Sequence, residues 1–245
     1  MNIRAEVWSP LQNTAVWLGA WLHGLEATDN LIDALTDLGG EGLTGVLRDI
    51  RQVAGGDLAG EEPVLRLVLS GPGEAPALRA GSAAAEAASR SGAGALVLRD
   101  ADPLTSHILV PDSGGDWQWF VEEQPLPAPA WLSPGEADQL LTQATNEAAR
   151  LVQVSGYRTD ALNSPRLTVG TLADFYDTPG LPSAAPVRAA KLFARADRVA
   201  AIVETVTGRM GDHRIDPELL ALWRHIRAAR MAGVAYSVRE FGRLT

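Results

Sequence analysis

The sequence predicts an α+β protein: a small mixed or mostly antiparallel sheet with helices around it, followed by a helical C-terminal part. Three observations predict it. Short apolar runs at 64–69, 95–98, 108–110 and 117–121 are separated by turn residues. Stretches with apolar residues every three or four positions lie before and after them. A segment rich in proline, QPLPAPAWLSP, holds Pro125, Pro127, Pro129 and Pro134 and reads as an extended, semi-rigid linker. It divides the chain into an α+β domain, 1–124, and a helical part, 125–245, that is a second domain or an extension packed on the first.

The elements follow in order. Ile3 to Trp8 reads as a short strand. Pro10 opens a helix over about 10–26, in which Leu11, Ala15, Leu18, Leu22 and Leu25 share a face. Thr28 or Asp29 is expected to cap a helix over about 30–38, stopped by Gly39-Gly40. A third helix, about 42–54, ends at Gly55-Gly56. Val64 to Leu69 is apolar except for Arg66, as in a mostly buried strand. Loop 70–81 leads to an alanine-rich helix at 82–91. The runs at 95–98, 108–110 and 117–121 form an antiparallel meander, with Trp117 and Trp119 on one face and Phe120 on the other. A parallel pairing of 64–69 with 95–98 across helix 82–91 is the alternative, because that unit is strand, helix, strand. Ser133 caps a helix at 134–154, with Glu136 in reach of its first turn. A looser stretch follows, with a short helix near 170–176. A long helix covers 186–208, and Asp216-Pro217 starts a final one that runs to 232 or on to 241.

Composition excludes several classes of function. The chain has 245 residues and no Cys, so thiolate nucleophiles, disulfides and Cys-ligated zinc are ruled out. The first residues, MNIRAEVWSP, do not have the layout of a secretion signal, and no apolar stretch approaches the ~20 residues of a membrane span. The expected location is the cytoplasm. The net charge is −9, which opposes nucleic-acid binding by the molecule as a whole. The charge is unevenly spread, however. Residues 185–245 hold eleven Arg and Lys against six acids, whereas 24–62 hold nine acids and two Arg.

The stretch LRLVLSGPGEAPALRAG, Leu65 to Gly81, has the layout of a phosphate loop: strand, glycine turn, helix. The residues do not supply the chemistry. Such a loop presents consecutive N–H groups to an anion, and Pro72 and Pro76 have none. Glu74 puts negative charge at the site, and the only lysine is Lys191. The turn is therefore an exit from a buried strand. No two of His23, His107, His213 and His225 have the helical spacing of a metal pair. His107 stands beside Ser106, with Asp100 and Asp102 near in sequence, but the Gly-x-Ser-x-Gly elbow is missing. Glu122 and Glu123 are neighbours on a strand and point to opposite faces. No catalytic residue, cofactor or metal is assigned.

Two features remain as a candidate interaction surface. Arg188, Lys191, Arg195 and Arg198 fall on one face of a helix, and Arg224, Arg227 and Arg230 form a second row. Seven Trp accompany three Tyr and four Phe, and the pairs Trp17/Trp21 and Trp117/Trp119 each share a face. The leading expectation is a non-enzymatic interaction or adaptor protein, oligomeric, whose partner is a second copy or an acidic protein surface. One alternative is a small-molecule-binding protein or enzyme with its site near loop 70–81 and His107. The other is nucleic-acid binding through the basic C-terminal helices.

The run LRLVLSGPGEAPALRAG, the alanine-rich helix after it, and then GALVL, HILVP and WQWFVEE together resemble a family of hypothetical proteins from high-GC Gram-positive bacteria. The pattern is best matched over 64–122 and more loosely over 10–245. Pro72-Gly73-Glu74 stands where the family pattern has Pro-Gly-Asp. The resemblance implies the domain layout and carries no activity.

Overall fold

The computed structural model describes residues 9–56, 58, 60, 62–71, 77–112, 114–154, 180–209 and 216–245. The expected strand at Ile3 to Trp8, the Pro72 to Pro76 part of the loop and the expected helix near 170–176 lie outside them.

Helix α1 (Pro10–Leu22) starts with the Ser9 hydroxyl accepting the Gln12 N–H and with proline at the first helical position, where no donor is missed. Most of it is buried, so it is a core helix. Helix α2 (Thr28–Leu38) is amphipathic. Leu31, Leu35 and Leu38 are buried, and Asp29, Asp33 and Asp37 are exposed. Its N-cap is Ala27, with no side-chain cap. The expected caps, Thr28 or Asp29, both lie inside the helix, and the Thr28 hydroxyl accepts the Trp21 indole N–H at 3.0 Å. The helix expected at 42–54 forms in two pieces, a 3-10 helix (Glu41–Val46) and helix α3 (Leu47–Ala54).

Four strands form one sheet in the order β1 (Leu65–Val68), β2 (Ala95–Arg99), β3 (Ser106–Pro111) and β4 (Trp117–Glu122). Every pairing is antiparallel. This overturns the parallel alternative for the first two strands. The chain returns from helix α4 (Ala83–Ser91) through Gly94, which places Ala95 opposite Val68, at the exit end of β1. From there β2 can only run back along β1.

The register sorts side chains between two cores. Leu65, Leu67, Leu96, Leu98 and Leu109 face α1 and α3, with Trp117 and Trp119 packed beside them. Val68, Ala95, Val97, Ile108 and Val110 face the opposite way, onto Ala84, Ala87 and Ala88 of α4, and Phe120 joins them. Small side chains let α4 lie close to the sheet. The expected separation of Trp117 and Trp119 from Phe120 is what the structure has.

After the proline segment, helix α5 (Pro134–Val154) opens with a reciprocal capping box. The Ser133 N–H donates to the Glu136 carboxylate at 2.8 Å, and the Glu136 N–H donates to the Ser133 hydroxyl at 3.2 Å. Helix α6 (Val187–Arg209) and helix α7 (Asp216–Leu244) complete the helical part. Their core joins Leu141, Leu192, Ala196, Val199, Leu222, Ile226 and Ala229. Helix α7 does not stop near 232. Its last turns carry Val234, Val238 and Phe241 into the first core, against α1 and the sheet.

Two glycines set these approaches. Gly94 has φ +100°, and a Cβ there would lie 2.1 Å from the Val68 carbonyl oxygen. On Gly233 of α7 it would lie 2.3 Å from the Phe193 ring of α6. Gly94→Ala is expected to cost about 3 kcal/mol or more, from backbone strain and a backbone clash together. Gly233→Ala should cost about 1–3 kcal/mol, since a ring can shift where a carbonyl cannot. Urea unfolding of both variants measures the order.

Candidate functional site

The tryptophan pairs are anchored within the chain. Trp21 is 3% exposed, and the Arg51 guanidinium lies 3.9 Å over its ring. Trp17 is half-buried and donates its indole N–H to the Gly180 carbonyl, tying α1 to the segment before α6. Trp117 and Trp119 are half-buried against the first core. Trp21 is therefore a core residue and offers no surface.

The basic rows divide by environment. Arg188, Lys191 and Arg198 are exposed on α6. Arg195, also exposed, holds Asp138 of α5 through two contacts of 2.8 Å. On α7, Arg224 is exposed, Arg227 is half-buried with its guanidinium against Gly71, and Arg230 is 4% exposed. The row turns inward because a spacing of three residues rotates about 60° per step around a helix. Arg230 lies 2.8 Å from Asp197 of α6. Burial pushes the Asp197 carboxyl up and the Arg230 guanidinium down, and the ion pair opposes both shifts.

The acids expected to serve turns and opposite faces do so. Glu122 is buried and pairs with Arg79 at 3.0 Å, while Glu123 is exposed. Asp100 accepts the Asp102 N–H at 2.9 Å, and Asp102 accepts the Leu104 N–H and the Thr105 hydroxyl.

Around His107 the structure makes a chain of three side chains. The Trp119 indole N–H donates to His107 Nδ1 at 3.0 Å, and His107 Nε2 lies 3.0 Å from Asp100 Oδ2. An indole can only donate, so Nδ1 must accept and the imidazole proton sits on Nε2, directed at Asp100. Both ring nitrogens are engaged. Ser106 projects from the other face of the strand, as an adjacent residue must, and no base–nucleophile pair forms. The Asp100 carboxyl is held below the usual carboxylate range, first by the Asp102 N–H and then, against some desolvation, by His107.

A pocket of about 540 Å³ opens elsewhere, between the end of α1, residues 58, 60 and 62–64, Trp131 and the last turns of α7. His23, Leu58, Val64, Trp131, Arg239 and Arg243 are among its walls. His23 is 7% exposed, and its Nε2 is buried without a hydrogen-bond partner. Burial pushes its imidazole pKa down, so the ring is neutral near pH 7. Sequence reading passed over this place. Its parts lie at positions 23, 58, 60, 62–64, 131, 238, 239, 242 and 243, and no local spacing links them. His225 is half-buried on α7, its pKa lowered by burial and then by Arg224. His213 lies outside the described residues. Among the described residues no group of three or more acids and histidines could hold a metal ion, and no helix is long and apolar enough to cross a membrane.

Comparison with known proteins places the chain. The model of the Rv1486c-like protein N-terminal domain matches residues 12–134, and that of the C-terminal domain matches 135–231. The chain belongs to the Rv1486c-like family. Two relatives are the uncharacterized protein Rv1486c of Mycobacterium tuberculosis strain H37Rv and the uncharacterized protein MT1533 of strain CDC 1551. Each is 26% identical over 281 aligned positions, which take in 93% of this chain and 96% of the relative. No solved structure matches. The family division at 134/135 falls at the start of α5, ten residues after the boundary read from the prolines.

Four variants test these polar contacts. Trp119→Phe removes the donor to His107 Nδ1 and should cost about 1–2 kcal/mol in urea unfolding. Asp100→Asn should destabilise at pH 7 and make little difference at pH 2. A folded-state pKa below the unfolded value gives stability that is present above the unfolded pKa, near 3.9, and lost as pH falls through the folded one. Arg230→Met, which strands Asp197, should cost about 3–5 kcal/mol, and the double variant Asp197→Leu/Arg230→Met should recover most of it.

Proposed function

We propose that this protein is a non-enzymatic interaction protein that associates with copies of itself through two ridges of opposite charge. The observation that carries the reading is the pair of exposed rows. Asp29, Asp33 and Asp37 stand four apart along α2, and Arg188, Lys191 and Arg198 line the outer face of α6. A row of acids at a spacing of four forms one stripe on a helix, and so do the bases at three and seven. Each stripe is a counterpart for the other on a second molecule. Exposed charges of this kind set partner choice and association rate, and salt weakens them.

The surroundings support a binding role over a catalytic one. The histidine nearest the expected site is engaged at both nitrogens, by Trp119 and Asp100. The net charge of −9 opposes nucleic acid as the partner of the basic ridge.

Light scattering at low and high salt tests the reading. The wild-type protein should be larger than a monomer at roughly 50 mM NaCl and shift toward the monomer at roughly 500 mM, where screening is within a few ångströms. Arg188→Glu/Lys191→Glu/Arg198→Glu should be monomeric at both. Mixing it with Asp29→Lys/Asp33→Lys/Asp37→Lys should restore association. A wild-type monomer at low salt would overturn the proposal.

A further inference from the structure

The outer edges of the sheet are β1 and β4, and among the described residues only that of β1 is covered. Hydrogen bonds fix which backbone groups face outward. In an antiparallel pair, opposite residues alternate between exchanging both bonds and exchanging none. The Arg99 N–H donates to the Val64 carbonyl at 2.9 Å, so Arg99 and Val97 bond β1, while Leu96 and Leu98 bond Leu109 and His107 of β3. That leaves Ser106, Ile108 and Val110 to bond Glu122, Phe120 and Gln118 of β4. The turn gives the same answer independently, since the Asp112 N–H donates to the Asp116 carbonyl at 2.8 Å. The N–H and C=O groups of Trp117, Trp119 and Val121 therefore point away from the sheet, and among the described residues none of them has a hydrogen-bond partner. On the far edge, β1 lies against α7, where the Leu69 N–H meets the Met231 sulfur.

An open edge is a template for another chain, and proteins block such edges with charge, proline or a bulge. Here the register over Trp117–Glu122 runs unbroken, and Trp-Gln-Trp-Phe-Val at 117–121 holds no charge and no proline. Val121 is 53% exposed, and Leu104, in the turn before β3, is 54% exposed. The charge around the edge selects the guest. Residues 100–123 hold six acids and no Lys or Arg. Glu122 is matched by Arg79 and Asp100 by His107, but Asp116 is exposed at one end of the strand and Glu123 and Asp102 at the other. A second copy of β4 paired antiparallel about Trp119 would set Asp116 of one copy beside Glu122 and Glu123 of the other, and like charges across strands repel. We propose that the β4 edge takes an extended segment of another protein as a fifth strand. Its backbone bonds Trp117, Trp119 and Val121, its alternate apolar side chains cover Val121 and the indole rings, and basic residues flank them near Asp116 and Glu123.

Amide hydrogen exchange followed by NMR on the full chain tests this with a synthetic peptide, Arg-Lys-Val-Thr-Val-Thr-Val-Lys-Arg. The Trp117, Trp119 and Val121 amides should exchange freely in the protein alone and slow about tenfold or more when the peptide saturates it. Methylating the backbone nitrogens of the peptide's valines, which face the edge, should abolish that protection. So should exchanging its basic residues for Glu. Val121→Lys changes an exposed side chain and should weaken binding about tenfold or more by setting like charge on the edge, with circular dichroism confirming the fold. The exchange reads the edge directly, so its outcome is separate from that of the charged ridges on α2 and α6. The proposal is overturned if the peptide leaves the three amides unchanged or protects other amides only, if either altered peptide protects them as well, or if Val121→Lys binds as the wild type does. It is also overturned if the three amides are slow in the protein alone, the mark of an edge already held by a second copy or by the chain itself.

Discussion

Helix α7 serves two cores at once, and the remaining packing depends on that. Its first half gives Leu222, Ile226 and Ala229 to the bundle with α5 and α6. Its second half gives Val234, Val238 and Phe241 to the core between α1 and the sheet. Twenty-nine residues make a rod of about 44 Å, long enough to reach across both. Gly233 sits where the two halves meet and lets the Phe193 ring of α6 press onto the helix backbone. Around this crossing the polar contacts are also made by α7. Arg230 meets Asp197, Arg227 covers Gly71, and the Met231 sulfur accepts the Leu69 N–H at 3.4 Å. Gly71, where the chain leaves β1, thus lies under an arginine.

The sheet shows the opposite economy. Several of its polar groups are satisfied within a few residues or by one crossing contact: Glu122 by Arg79, His107 by Trp119 and Asp100, Asp102 by the turn it makes. A histidine placed in such a chain is a structural part, because neither nitrogen is left to take or give a proton to a substrate. His23 is the contrasting case in the same molecule. It is more deeply buried than His107, and its Nε2 stays unmatched.

Much of the fold was legible from the chain because it is written locally. The Ser133/Glu136 box, the Gly39 stop and the alternation that separates Trp119 from Phe120 depend on neighbours within four residues. The direction of β1 against β2 was not legible, since it is decided by where Gly94 returns the chain in space. Nor was the fate of Thr28, which is the first helical residue after Ala27 and takes the Trp21 indole N–H. Rows of arginine read from spacing alone look uniform, and on α7 the row passes from solvent at Arg224 to an ion pair at Arg230. The pocket was invisible for the same reason: its walls come from four separated stretches.

The family models end the C-terminal domain at 231, yet α7 continues to 244 and its last turns fill the core of the first domain. This orders events during synthesis. A ribosome makes the chain from its N-terminus, and the sheet with α1 is complete by residue 122. The apolar bed for Phe241 then waits through more than a hundred further residues. Until then that face has no cover of its own, and the last turns of α7 are what closes it.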